Sequence, residues 1–370
     1  MIFRCEKSVL TEAVLNVSRM IPSKSSIPAL EGVKIKAKAG QLILSGYDME
    51  AGITTSIEAD IENEGEIVLS ARLFADMLRK MAGDIVSVSV GDKYLTEIVC
   101  GITEFTILGI PADEFPELPS IDGGEAVELP QDVLKSMIDQ TLFAVATTDS
   151  KPVHMGSLFD MDESSLTVVS VDGYRLALRR SVLTDDRKLS FVVPGKVLSE
   201  ISKMIKDDAE EKANLMVSGR HIVFKIGNYS IISRLLEGEF LDYRKSIPQS
   251  STATAVISRR MFMDSIERAS LLISDRLRSP LRVVFDNDGL IKMTCSTSVG
   301  KFYDELPCKM DGDTLEMGFN NKYLMDALKA ADTDEIRIEL AGSLSPIKVL
   351  PPDGDDYLFL VLPVRLKNDM

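Results

Sequence analysis

A chain of 370 residues, 45% of them apolar, is longer than one hydrophobic core ordinarily supports and apolar enough to fill two or three. Its formal net charge of −15 excludes a protein that coats nucleic acid with its whole surface, though not one that gathers cations on a single face. No apolar run reaches the roughly 18 residues a membrane span requires, and the opening MIFRCEKSVLTEAVL lacks a signal peptide's apolar core and cleavage site, so a soluble, cytoplasmic protein is expected. Cys5, Cys100, Cys295 and Cys308 are scattered without C-x-x-C spacing and are expected to be reduced and mostly buried.

In chain order, KSVLTEAVLNVSRMI (7 to 21) is the first expected helix, and VKIKAKAGQLILSGYD follows as two strands joined by a Gly-containing turn. IVLSARLFADMLRKM (67 to 81) is a strand running into a second helix, and DIVSVSVGDKYLTEIVC is another hairpin. The stretch GIPADEFPELPSIDGGE (109 to 125), rich in Pro, Gly and charge, marks a boundary. The series then starts again: helix QDVLKSMIDQTLFAV (131 to 145), hairpin LFDMDESSLTVVSVDGYRLAL, strand and helix FVVPGKVLSEISKMI (191 to 205), hairpin ANLMVSGRHIVFKIGNYSIISRL. After a second boundary, EGEFLDYRKSIPQSSTAT (237 to 254), it runs a third time through RRMFMDSIERASLLI (259 to 273), LRVVFDNDGLIKMTCS, MGFNNKYLMDALKAA (317 to 331) and DEIRIELAGSLSPIKVL. The expected class is α+β: three similar domains, 1–122, 123–249 and 250–370, each with two helices on antiparallel sheets from a duplicated unit.

Aligning the second helices by apolar residues alone puts Leu73, Val197 and Tyr323 in one column and Phe74, Leu198 and Leu324 in the next. Met77, Ile201 and Ala327 follow, then Met81, Ile205 and Ala331, which together make one stripe of an amphipathic helix. In the first helices Leu10, Leu134 and Phe262 correspond, as do Val14, Ile138 and Ile266. Two basic columns appear that the alignment did not use: Arg72, Lys196 and Lys322, and seven residues on Arg79, Lys203 and Lys329. Seven residues is nearly two turns, so each pair shares a face roughly opposite the apolar stripe. With 42 Lys and Arg in 370 residues, six filled cells point to a common task, the bland alternative being a solvated face of mixed sign.

VDGYRLAL (171 to 178), EGEFLDYRKSIP (237 to 248) and the ending LVLPVRL (360 to 366) resemble the bacterial sliding clamp family, the beta subunit of the replicative DNA polymerase, and the resemblance spans the whole chain. It implies a head-to-tail homodimer closed into a ring around duplex DNA, with helices lining the hole and attracting phosphates irrespective of sequence. The DNA-facing residues it implies are the six basic-column residues, with Lys24 in IPSKSSIP, Lys151 and Lys80, although the equivalents of Lys80 (Met204 and Ala330) are apolar. It also implies a cleft for partner peptides, lined by His154, Ser170, Gly173, Tyr174, Arg175 and Leu176, by Leu241 and Lys245 of the linker, and by Asn320, Tyr323, Leu344 and Pro346. Leu360, Leu362, Pro363, Val364, Arg365 and Leu366 complete that cleft, while Leu241 and Tyr174 depart from the commoner Pro and His. Phe105 and Ile107 of TEFTILGI, with Leu272 and Ile273 near SLLISD, are the implied dimer contact. The implied partners are double-stranded DNA, a second copy, the replicative polymerase catalytic subunit, the clamp loader and other proteins with a clamp-binding motif, and no membrane.

Enzyme readings find little footing. Only His154 and His221 could serve as general bases, no GxSxG, GxxxxGK[ST] or GxGxxG occurs, and DNDG (286 to 289) and PDGDD (352 to 356) fit hairpin turns better than calcium loops. No catalytic residue, cofactor or metal is expected. A peptide-binding scaffold that does not encircle DNA is the alternative.

Overall fold

The structure, a computed structural model, describes residues 1–121, 123, 125–148, 151–162, 164–183, 187–273 and 279–366. Alternation builds the strands: in Gly32–Lys38, Val33, Ile35 and Ala37 are buried, while the intervening lysines face outward. The helices are α1 (Lys7–Val17), α2 (Ala71–Lys80), α3 (Gln131–Asp139), α4 (Gly195–Ser202), α5 (Tyr243–Ser246), α6 (Arg259–Ser270) and α7 (Asn321–Ala330). Several end earlier than periodicity suggests, because Ser18 and Thr141 hydroxyls bond back to the carbonyls of Val14 and Met137 and compete with the ladder. The helix α4 also ends early, so Lys203 lies in the turn after it, although the amide of Ile205 still donates to the Ile201 carbonyl at 3.0 Å. The one-turn α5 lies inside EGEFLDYRKSIP and was not expected.

Two compact units are assembled from discontinuous stretches. The first, Met1–Leu134 with Lys196–Leu235, holds a five-stranded and an eight-stranded sheet, and α1 packs on α2 there. The second, Lys135–Gly195 with Leu236–Met370, holds a nine-stranded and a four-stranded sheet, and α6 packs on α7. Strands pair antiparallel with their sequence neighbours and across the repeats. In the first unit Tyr229–Arg234, the last strand of the middle third, pairs with Ala51–Glu58, with Ile231 opposite Ile53. In the second, Tyr357–Val361 pairs with Arg175–Val182, with Phe359 opposite Ala177. One rule covers both: the last strand of a third pairs with the fourth strand of the third before it. Thr103–Leu108 and Lys301–Pro307 hold the corresponding positions, and each is the outermost strand of its sheet.

The threefold echo recurs in single bridges that pin the end of each third to the strand before its second helix: Val68 with Ile110, Val192 with Leu236, Gly318 with Val364. Leu10, Leu134 and Phe262 are buried, as are Val14, Ile138 and Ile266. The helix columns beginning at Phe74, Met77 and Met81 are buried throughout. The Leu73 column needs correction: Val197 is buried and Tyr323 half-buried, but Leu73 is 45% exposed. Tyr323 is covered by Tyr174 and Arg175 from the preceding third, a cover that Leu73 lacks among the described residues. DNDG and PDGDD are turns between strands, Asp286 and Asp288 holding Lys292 at 2.5 and 3.0 Å. All four cysteines are free; Cys308 is half-buried, the others buried, and burial pushes the Cys5 thiol up to about 11.

Candidate nucleic-acid interface and peptide cleft

Each second helix begins where a strand runs out, and its first basic residue lies one position inside, two residues before the buried Phe74, Leu198 or Leu324 and so on nearly the opposite face. Arg72, Lys196 and Lys322 are all exposed, and so are Arg79, Lys203 and Lys329. Lys24, Lys80 and Lys151 are exposed too, Lys80 as the last residue of α2 and Lys151 just ahead of the short 3-10 turn Pro152–Met155. Several of these cations have carboxylate neighbours. Arg79 pairs with Asp76, Lys203 with Glu200 at 2.7 Å, and Lys196 with Asp48 at 2.7 Å. Exposed pairs of this kind are worth no more than about 1 kcal/mol, so a phosphate can displace the carboxylate.

The residues expected at the peptide cleft centre on a turn. Asp172 accepts hydrogen bonds from the amides of Tyr174 (2.9 Å) and Arg175 (3.0 Å), which makes an Asx turn, and Gly173 takes φ +89° where a side chain would be strained. The turn aims Arg175 inward, where its side chain is 12% exposed. Its Nε donates to Asp172 at 2.9 Å, its Nη1 donates to Asp326 of α7, and its guanidinium lies 4.7 Å from the Tyr323 ring centre and 5.4 Å from that of Phe143. Tyr174 stacks on Tyr323 at 5.6 Å and stays 60% exposed, so the two rings form a fixed aromatic shelf.

The C-terminal tail is pinned beside the shelf. The Leu362 amide donates to the Tyr174 carbonyl at 3.0 Å, and the Val364 amide to the Gly318 carbonyl at 2.9 Å. Pro363 between them has no donor, and Leu366 packs over Gly318, where a Cβ would meet its Cδ2 at 2.7 Å. Leu362 and Val364 thus present apolar surface from a backbone that is held, with Arg365 exposed. Leu241 and Leu344 are exposed, and Pro346 and Asn320 half-buried, the Asn320 side chain capping α7 by accepting from the Lys322 amide at 2.9 Å. Ser170, Leu176 and Leu360 are buried, the two leucines in one hydrophobic cluster; the Ser170 hydroxyl lies 2.7 Å from that of Ser157. Lys245 turns to Asp242 at 2.8 Å.

His154 lies edge-on to Phe240 at 5.2 Å, and burial, with Lys151 nearby, holds its pKa below the usual value. Phe240, Tyr243 and Ile247 anchor the linker on this sheet. The Tyr243 hydroxyl donates to Asp160 at 2.9 Å, and burial together with that carboxylate pushes its pKa up to about 12. Four residues of this site, Phe143, Asp172, Phe240 and Asp326, escaped sequence reasoning. Only Asp172, in the turn pattern DG, carried a local signal.

Of the residues expected at the dimer contact, Phe105 and Ile107 are half-buried on the edge strand Thr103–Leu108, whose Leu108 is 71% exposed. Leu272 and Ile273 are half-buried beyond α6, and Ser274 and Asp275 of SLLISD lie outside the described residues. No helix among the described residues is long and apolar enough to cross a membrane.

Three consecutive stretches match the DNA polymerase III beta subunit: its N-terminal domain over residues 1–119, its central domain over 128–242 and its C-terminal domain over 244–365. The beta sliding clamp of Bacillus subtilis strain 168 is 34% identical over 375 residues, covering 98% of this chain and 99% of that protein. The solved sliding clamp of Bacillus subtilis superposes with a TM-score of 0.95 at 33% identity over 99% of this chain and 100% of that one. A Pseudomonas aeruginosa sliding clamp bound to griselimycin gives a TM-score of 0.93 at 26% identity, over 99% and 100%. A threefold repeat, an Asx-turned arginine, a pinned apolar tail and matches running the length of the chain converge: the protein belongs to the DNA polymerase III beta subunit family, the bacterial beta sliding clamps.

Proposed function

We propose that this protein is the sliding clamp of its replicative polymerase, a head-to-tail homodimer that closes around duplex DNA and tethers the polymerase to it. The carrying observation is the pair of basic columns, six exposed cations at repeat-equivalent positions on an otherwise acidic chain. Contacts of this type attract phosphates without reading bases and are screened by salt, which suits a ring that must slide and is retained by topology. Three domains, 1–122, 123–249 and 250–370, supply the repeat, and we assign the protein a cytoplasmic place and no catalytic step of its own.

The strand-pairing rule supports the assembly. Applied to a second copy, it sets the unpaired edge Thr103–Leu108 against the unpaired edge Lys301–Pro307, so Phe105 and Ile107 meet the region of Leu272 and Ile273. The aromatic shelf and the pinned tail receive an extended segment of the polymerase catalytic subunit, the clamp loader or another partner carrying a clamp-binding motif. Griselimycin, bound by the Pseudomonas aeruginosa relative, is assigned to the same cleft.

Two substitutions test these halves. Ile107→Asp puts a charge into the expected edge contact, and gel filtration should then report the 40.7 kDa chain where the unaltered protein elutes at twice that mass; equal elution contradicts the pairing. Leu362→Asp should weaken griselimycin binding, measured by calorimetry, by at least about 30-fold, the equivalent of about 2 kcal/mol for a lost apolar contact plus a desolvated charge. Unchanged affinity would move the ligand elsewhere.

A further inference from the structure

A third repeated column lies between the basic ones. Asp76, Glu200 and Asp326 fall at equivalent positions, each three residues before Arg79, Lys203 or Lys329. In the first two copies the carboxylate holds the basic residue three positions on: Asp76 takes Arg79, and Glu200 takes Lys203 at 2.7 Å while also accepting from Arg19 at 3.2 Å. In the third copy Asp326 turns away from Lys329 and takes the guanidinium of Arg175. Asp326 is still 40% exposed, so the lysine three residues on remains a competitor within reach.

Helix α7 thus serves two surfaces at once. Lys322 and Lys329 are exposed on it, while Tyr323 and Asp326 face the cleft and fix Arg175. Arg175 in turn lies beneath the Tyr323 ring, on which Tyr174 is stacked.

We propose that Asp326 is a shared counter-ion through which a DNA phosphate at Lys329 tightens the peptide cleft, an inference that rests on the sliding-clamp reading. A phosphate on Lys329 removes the rival cation. Asp326 then commits to Arg175, and Arg175 holds the Tyr323 and Tyr174 shelf in its binding-ready position. Linkage makes the effect reciprocal: a ligand that needs the ordered shelf strengthens the hold of Lys329 on DNA. Asp326 is a positioning residue in this scheme, since it acts through Arg175.

The test uses the full-length protein and fluorescein-labelled griselimycin, read by anisotropy with and without a saturating short blunt duplex at low ionic strength. Because exposed ion pairs are weak, the unaltered protein should bind the probe about two- to threefold more tightly with DNA present. Asp326→Asn should bind it more weakly and show no response to DNA. Lys329→Gln should bind it in the free state as tightly as the DNA-bound unaltered protein does, again with no further response. A purely structural Asp326 would weaken binding equally in both states and leave the ratio intact, which overturns the proposal. Equal affinities for the unaltered protein with the duplex visibly bound overturn it as well. If a labelled duplex fails to bind, the sliding-clamp reading itself falls and takes the proposal with it.

Discussion

Replacing Arg72, Lys196, Lys322, Arg79, Lys203 and Lys329 together by glutamine should cut duplex affinity at low salt by at least about a thousandfold and flatten its salt dependence. Each phosphate neutralised contributes a slope of about −0.9 in log affinity against log salt, and a dimer carries two sets of these cations. The fold should survive, because all six side chains are exposed and surface substitutions ordinarily change stability by no more than about 0.5 kcal/mol. Asp48 keeps its turn without Lys196, since it also accepts from the amides of Glu50 at 3.0 Å and Ala51 at 2.7 Å. Anisotropy with a labelled duplex across a salt series, beside a thermal melt, decides the matter. An unchanged slope would show that phosphates are held elsewhere.

The largest stability loss is expected at Phe359. Its ring is fully buried in the strand that joins the last third to the middle third, stacked on Tyr357 at 4.8 Å and met edge-on by Phe143 at 5.3 Å. Phe359→Ala should cost about 3–5 kcal/mol, the transfer of the ring plus the cavity it leaves. Phe143 also lies against Arg175, so on the proposed cleft assignment the same change should weaken griselimycin binding even at temperatures where the variant stays folded. Urea denaturation gives the first quantity and calorimetry the second. A loss below about 1 kcal/mol would mean that the neighbouring chain closes the cavity, contrary to a packed junction.

Both predictions depend on features of different legibility. The helices and their buried columns could be read from spacing, because Phe74, Leu198 and Leu324 repeat with the helical period and burial follows period. The basic columns were legible for the same reason. The grouping of the chain into two compact units was not, since it arises from strands pairing across repeats, as Ile231 does with Ile53, and such pairing leaves no local pattern. Arg175 was named from its motif, yet its partner Asp326 lies 151 residues away and Phe143 in a segment read as plain helix. Leu73 misled because periodicity reports which face is apolar, not whether anything covers it.

Loading the protein onto a singly nicked circular plasmid and then cutting that plasmid once is the most direct measurement. A ring held by topology stays with the circle through gel filtration and is lost on linearisation, with little dependence on salt before the cut. Protein that remains on the linear DNA, or that salt strips from the intact circle, is holding by contact alone and contradicts encirclement.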